Sequence, residues 1–214
     1  MSEDHVIISK PVREIADPLL DLVEKTYTSS FPEEERRDFS LVRKLLEEDS
    51  RFEMYALLRD GIYVGFITGW QFEGFVYAEH FAIDESARNG GIGAKAMTSF
   101  LALHEDPVVL EVEMPTEEMS KRRIGFYERL GFVLDHHVYF QPPYRRGEAL
   151  LEMRLMTHGE LDLEEFLRRI KPIFHKNVYG EKKKKGGILF PAFFRYSICR
   201  SLFVDTLSGR ITNL

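Results

Sequence analysis

The segment Arg88 Asn89 Gly90 Gly91 Ile92 Gly93 Ala94 joins two patterns of different period, and it restricts the chain to folds in which a strand turns through glycines into a helix. Before it, Val76 to Ile83 is β-branched and aromatic; after it, Ile92, Ala96, Met97, Phe100, Leu101 and His104 recur at helical spacing. A helix opened this way leaves its first backbone N–H groups unpaired and outward-facing, where the helix dipole favours negative charge. The glycines let phosphate oxygens approach the backbone, and Arg88 adds charge. The same residues also suit a plain turn, so a pyrophosphate-bearing ligand is one of two readings. Neither common nucleotide fingerprint is present. Ala94 Lys95 Ala96 lacks the Lys-Ser/Thr pair of a Walker loop, and Gly90, Gly91 and Gly93 do not form G-x-G-x-x-G.

The surrounding pattern reads as βααβββ followed by αβαββ, an α/β (α+β) chain. Val6 to Ser9 is a short strand, and Ile15, Leu19, Leu22, Val23 and Tyr27 mark a helix face. Pro32 interrupts the pattern within Phe31 Pro32 Glu33 Glu34 Glu35 Arg36, and Leu41, Leu45 and Leu46 mark a second helix. Glu53 to Arg59 and Ile62 to Phe72 flank Asp60 Gly61, a strong hairpin signal. Val108 to Val112 reads as a buried strand, and Lys121 to Leu130 as a helix closed by Gly131 and Phe132. Val133 to Phe140 and Ala149 to Met156 read as two further strands, which would place His136 and His137 on opposite faces.

A hydrophobic content of 44% over 214 residues is ample for one domain with appendages. No stretch of apolar residues is long enough to span a bilayer, and Met1 to His5 is too polar for a signal peptide, so a cytoplasmic location is expected. The single cysteine, Cys199, excludes internal disulfides and cysteine-based metal clusters, and no His, Asp or Glu spacing suggests a metal. The net charge of −6 argues against nucleic acid as a partner. Residues 181–214 are basic, with Lys182 to Lys185 followed by Ile188, Phe190, Phe193, Phe194 and Leu202. This composition fits an anionic membrane surface, packing against the body, or a disordered extension, and the membrane is the least favoured of the three. Asp162 to Phe174 carries an apolar helical stripe that would cap the sheet or form a homodimer contact.

With these elements in order, the chain resembles the GNAT superfamily of N-acetyltransferases. Arg88 to Gly93 fits that family's Gln/Arg-x-x-Gly-x-Gly/Ala loop, and Tyr77 to Ile83 is similar to the strand preceding it. Ile124 Gly125 Phe126 Tyr127 Glu128 Arg129 Leu130 Gly131 Phe132 resembles the second signature, a tyrosine-bearing helix ending at Gly-Phe. The resemblance covers roughly residues 5–156. It implies a mixed, mostly antiparallel central sheet with splayed parallel strands, flanked by helices. The implied divisions are an acetyltransferase domain at 1–158, an appended amphipathic helix at 159–180, and a basic linker with an apolar tail at 181–214.

The resemblance further implies acetyl transfer from acetyl-CoA to a primary amine, small or peptidic, by direct attack in a ternary complex. A non-catalytic acyl-CoA-binding module on the same fold is the alternative. Arg88, Asn89, Gly90, Gly91, Ile92, Gly93 and Ala94 would hold the pyrophosphate, and Phe81, Ala82 and Ile83 the pantetheine arm. Tyr127 matches the tyrosine that donates a hydrogen bond or proton to the leaving thiolate.

An alkylammonium must lose a proton before it attacks a thioester. Strand alternation places Glu79 with Tyr77, Phe81 and Ile83, and His80 on the other face. Among apolar neighbours the Glu79 carboxyl would have a raised pKa suited to base work; a structural, ion-paired carboxylate is the other reading. The loop bearing Phe31 and Glu34 would border the acceptor, its acidic run either recognising the amine or facing solvent. Tyr77, Tyr139, Tyr144 and Arg145 are candidates for the acceptor site's other walls.

Overall fold

The computed structural model describes residues 6–169, apart from 89, 138, 142, 143, 145–148 and 165, and for Glu34 the backbone only. The expectations for Asn89, Arg145, the Glu34 side chain and residues 170–214, including the basic tail, lie outside the described residues.

Eight strands form one mixed sheet. β1 (Ile7–Pro11), β2 (Phe52–Arg59), β3 (Ile62–Phe72) and β4 (Phe75–Ile83) follow one another antiparallel; β5 (Val108–Glu113) joins β4 in parallel, and β8 (Leu151–His158) lies antiparallel on β5. The short strands β6 (Val133–Leu134) and β7 (Tyr139–Gln141) both pair with β8. The single strand expected over Val133 to Phe140 is therefore broken. Asp135 folds back on His137, accepting from its backbone N–H at 3.1 Å, so His136 and His137 sit in an irregular, exposed stretch.

Two layers of helix cover the sheet. α1 (Leu19–Ser30) and α2 (Phe39–Glu48) pack on one face, where Tyr27, Phe66, Trp70 and Tyr77 are each 1% exposed or less. α3 (Ile92–Leu101) and α4 (Glu118–Glu128) pack on the other, around Ile67, Met97, Phe100 and Met156. Burial of each such side chain is worth about 1.5–3 kcal/mol. In α1 the buried set is Leu20, Val23, Thr26 and Tyr27, whereas Ile15 and Leu22 are exposed. Pro18 starts the helix just before Leu19, leaving Ile15 outside it, and the i, i+3, i+7 row through Leu20 faces the sheet.

The expected turns are present. Asp60 and Gly61, at φ 53° and 79°, form the tight turn between β2 and β3. Gly131, at φ 88°, ends the α4 region, and the Phe132 N–H donates to Tyr127 O at 3.1 Å, the closing bond of a Schellman cap. Residues 163–164 and 166–169 are helical. Phe166 is fully buried on the α1/α2 face of the sheet, its ring 5.5 Å from Phe75 and 5.9 Å from Tyr77.

Candidate active site

The site begins where two strands part. β4 and β5 pair only over Val76–Ala78 and Val108–Leu110, although β4 continues to Ile83 and β5 to Glu113. Opposite the fork, β4 bulges on its other edge: Thr68 pairs with His80 and Gly69 with Ala78, leaving Glu79 as the extra residue. A bulge shifts strand alternation by one position. Glu79 and His80 consequently both point to the α1/α2 face, while Phe81 and Ile83 pack on the α3/α4 side. This corrects the simple alternation, which grouped Glu79 with Phe81 and Ile83 and separated it from His80.

On the α3/α4 side lies the glycine turn. Asp84 caps the short turn after β4, accepting from Ser86 N–H at 3.1 Å, and its other oxygen accepts from Thr26 Oγ at 2.8 Å, tying α1 to the end of β4. Gly90 and Gly91 adopt φ of 70° and 74°, left-handed backbone that glycine takes without strain. Lys95 N–H bonds Gly91 O at 3.2 Å, so the amides of Ile92, Gly93 and Ala94 precede the helical ladder. A cleft of about 360 Å³ opens there, lined by Ile83, Arg88, Gly91 to Ala94, Phe126, Arg129 and Leu130. Two guanidinium-bearing residues and three helix-terminal amides on one cleft suit a pyrophosphate. Phe126, Arg129 and Leu130 line the cleft without having been assigned to the site from the sequence, and Arg129 is the charged one of the three. The Glu79 side chain is fully buried although the residue as a whole is not, so its accessible atoms are backbone; Phe81 and Ile83 are likewise partly exposed. The main chain along the open fork is thus available to an amide-bearing arm.

The other side of the fork is polar and aromatic. Glu79 Oε1 lies 2.6 Å from Arg37 Nη2, and Oε2 accepts from Trp70 Nε1 at 3.0 Å. The Tyr144 hydroxyl lies 3.4 Å from Glu79 Oε1, and the Arg37 guanidinium sits 4.8 Å from the Tyr144 ring centre. Burial works to raise the Glu79 pKa, but the charge of Arg37 and hydrogen bonds from Arg37 and Trp70 outweigh it and hold the carboxyl below its ordinary value. The elevated pKa expected for Glu79 does not occur, because a partner 42 residues away in sequence neutralises it.

The loop from Phe31 delivers that partner. Arg36 Nε donates to Phe31 O, and Arg37 N–H donates to the Tyr27 hydroxyl, each at 2.9 Å. Phe31 packs edge-on against His80 at 4.8 Å, and His80 Nε2 lies 3.2 Å from Glu35 O, consistent with the neutral Nε2–H tautomer. Burial pushes the His80 pKa down to about 4. Glu33–Glu35, which includes Glu34, form a short 3-10 turn whose backbone meets His80.

Glu111 was not among the residues read from the sequence. It faces the same side from β5, one residue past the last β4–β5 pair, and accepts from the Tyr139 hydroxyl at 2.6 Å and from Gln141 Nε2. Burial raises its pKa to about 7 against the hydrogen bonds from these neutral donors, and the Glu79 charge acts in the same direction as burial. Tyr77 and Tyr139, both expected at the acceptor, are buried beside it, each perturbed by Glu111. A sequence signal did exist: Val108 Val109 Leu110 Glu111 Val112 places one carboxylate inside an apolar strand. Arg37 had no such local signal.

Tyr127 lies in α4 against Phe126 and Phe132, and burial pushes its pKa up to about 12. Its hydroxyl is thus a neutral donor at any physiological pH. Ser120, also on α4, completes a capping box with Glu117. Among the described residues no group of His, Cys, Asp and Glu is arranged to hold a metal, and no helix is long and apolar enough to cross a membrane.

Comparison with known proteins agrees with this fold. Residues 16–132 match the model of the acetyltransferase (GNAT) family. A GNAT-family protein of known structure from Bacteroides thetaiotaomicron is 40% identical, with a TM-score of 0.74 over 81% of this chain and 98% of that one. Two Arabidopsis thaliana structures share the fold at lower identity. NAA60 in complex with acetyl-CoA is 16% identical with a TM-score of 0.53, covering 71% of this chain and 97% of its own. Naa50 in complex with the bisubstrate analogue CoA-Ac-MVNAL is 17% identical with a TM-score of 0.52, covering 72% and 99%. With the forked β4–β5 pair, the glycine turn and the tyrosine helix in their expected order, the chain belongs to the GNAT family of acetyltransferases.

Proposed function

We propose that this protein transfers the acetyl group of acetyl-CoA to a primary amine, on a small molecule or a peptide, by direct attack in a ternary complex. The observation that carries this reading is the fork itself: an anion-binding helix terminus opens on one side, and a carboxylate- and tyrosine-lined wall stands on the other. Acetyl-CoA supplies the activated carbonyl. The amides of Ile92, Gly93 and Ala94, with Arg88, Asn89, Gly90, Gly91 and Arg129, hold the pyrophosphate, while the backbone of Phe81, Ala82 and Ile83 guides the pantetheine arm to the fork. Tyr127 donates a hydrogen bond to the departing thiolate. A thiolate is far less basic than a phenolate with a pKa near 12, so the hydrogen bond suffices without full proton transfer.

Across the fork, Phe31, Glu34, Tyr77 and Tyr139 border the acceptor. Glu79, anchored by Arg37, keeps a fixed negative charge there. An ammonium entering this region meets aromatic rings, whose faces favour a cation, beside a Glu79 charge already paired with Arg37. The test is calorimetry of the purified protein with acetyl-CoA, followed by thiol release across a panel of alkylamines and peptides with free N-termini. Binding with transfer supports the proposal. Absence of binding refutes it, and binding with no thiol release would make the chain an acyl-CoA-binding module.

A further inference from the structure

The loop that borders the acceptor is held from underneath by a strand residue outside the transfer chemistry. His80 is 3% exposed, and it reaches the α1/α2 face only because the bulge at Glu79 brings two consecutive β4 side chains to one side. Its ring lies 4.9 Å from that of Tyr27 in α1, 4.8 Å from Phe31 and 5.7 Å from Tyr144. Three separate stretches of chain therefore rest on one imidazole.

Both ring nitrogens are engaged. In the 3-10 turn after Pro32, the Pro32 and Glu33 carbonyls accept from the N–H groups of Glu35 and Arg36, at 3.1 and 3.4 Å. The chain then extends at Arg36, and the Glu35 carbonyl turns inward to lie 3.2 Å from His80 Nε2. With Nε2–H as donor, Nδ1 is left as acceptor, and the Thr68 hydroxyl stands 3.5 Å from it. One neutral tautomer thus serves β3 and the loop together, and burial, which pushes the pKa down to about 4, keeps the ring neutral. The next two residues depend on that anchor. Arg36 closes the loop on itself through Phe31 O, and Arg37 enters the fork to meet Glu79.

We infer that His80 is a positioning residue of the acceptor site: donating from Nε2 to the Glu35 carbonyl, it fixes the Phe31–Arg37 loop beside the fork and so sets the affinity for the amine. The inference rests on the acetyltransferase reading for what the loop borders, while the hold itself is a property of the free protein. His80 touches no reacting atom. An apolar side chain in its place would orphan the Glu35 carbonyl inside this packing and shift the loop's opening equilibrium by about tenfold or more. Amine affinity falls with the fraction of molecules whose loop is in place. The glycine-turn cleft lies on the opposite face of the sheet, so acetyl-CoA binding is left unchanged.

The test compares wild type with His80→Leu, His80→Gln and His80→Asn. A glutamine amide nitrogen can take the place of Nε2, whereas the shorter asparagine reaches only the place of Nδ1. Amide hydrogen exchange in residues 33–37 should speed about tenfold in the Leu and Asn variants and return to within about threefold of wild type in the Gln variant, with residues 90–94 unchanged in all three. For an amine that wild type acetylates, KM should rise more than about threefold with Leu or Asn and recover with Gln, while acetyl-CoA affinity stays within about threefold throughout. Exchange or amine KM within about threefold of wild type in the Leu variant, Gln no better than Leu, Asn as good as Gln, or acetyl-CoA affinity falling in step each overturns the inference and leaves the acetyltransferase reading intact. A wild type that binds acetyl-CoA but acetylates no amine refutes that reading instead, and the exchange comparison still decides the hold. If His80→Leu does not fold, nitrogen NMR of wild type at pH 7 decides: the neutral Nε2–H tautomer is expected for His80, and an Nδ1–H tautomer or an imidazolium overturns the assignment.

Discussion

Replacing Glu111 by glutamine removes a charge that the folded state holds at a cost, so the variant should be the more stable protein at alkaline pH. The carboxyl moves from an ordinary value of 4.5 to about 7 on folding. Because the folded form binds its proton more tightly than the unfolded chain does, stability falls as pH rises through that window, and the full cost is present above it. At about 1.36 kcal/mol per pH unit the cost at pH 8 is on the order of 3 kcal/mol, against less than about 1 kcal/mol at pH 5. Glutamine carries no such cost and can still accept from the Tyr139 hydroxyl. A difference of about 2 kcal/mol corresponds to roughly 4–8 °C in a domain of this size. Thermal melts of both proteins at pH 5 and pH 8 should therefore show the variant gaining by that amount between the two. A gap that does not widen with pH, or that widens against the variant, would refute the electrostatic reasoning.

Arg37→Met strands the buried Glu79 charge and should cost about 3–5 kcal/mol in urea denaturation at pH 7. Because the Glu79 pKa is lowered in the folded state, its contribution is present above the ordinary carboxylate range and lost as pH falls below it; the penalty should shrink at pH 4. A loss under about 1 kcal/mol at pH 7 would count against the pair. Gly65 faces the end of β4, and a Cβ there would lie 2.3 Å from Ala82 O, so Gly65→Ala should force β3 from β4 and cost roughly 3 kcal/mol or more. An unchanged melting temperature would contradict that close approach. Tyr127→Phe should lower turnover about tenfold or more with acetyl-CoA affinity nearly unchanged, measured by steady-state kinetics and calorimetry; full turnover would remove Tyr127 from the mechanism.

Local signals decided much of what was legible in the chain. The glycine turn into α3, the Asp60–Gly61 hairpin and the Gly131 helix end each follow from backbone preferences of a few adjacent residues, and each is found where it was expected. Element order came from the spacing of those signals, and the family from the resemblance of Arg88 to Gly93 and of Ile124 to Phe132 to its two signatures. Two residues at the fork escaped that kind of reading for different reasons. Glu111 left a trace, a carboxylate in an apolar strand, whose meaning depended on Tyr139 and Gln141 crossing from another strand. Arg37 left none, since its contact with Glu79 exists only once the loop after α1 packs across the sheet.

The sequence by itself determined the strand–turn–helix and its three unpaired amides, because glycine's tolerance of positive φ and the helix's unpaired N–H groups are properties of the local chain. Only the tertiary structure decided which carboxylate is free to change its proton. Glu79 shares the face of Tyr77, toward Arg37 and Trp70, the extra residue in β4 brought His80 to that face as well, and the parting of β4 from β5 left Glu111 among neutral donors. A pKa is set by what surrounds a group in space, and at this fork those surroundings come from β3, β4, β5, β7 and a loop far apart in the chain.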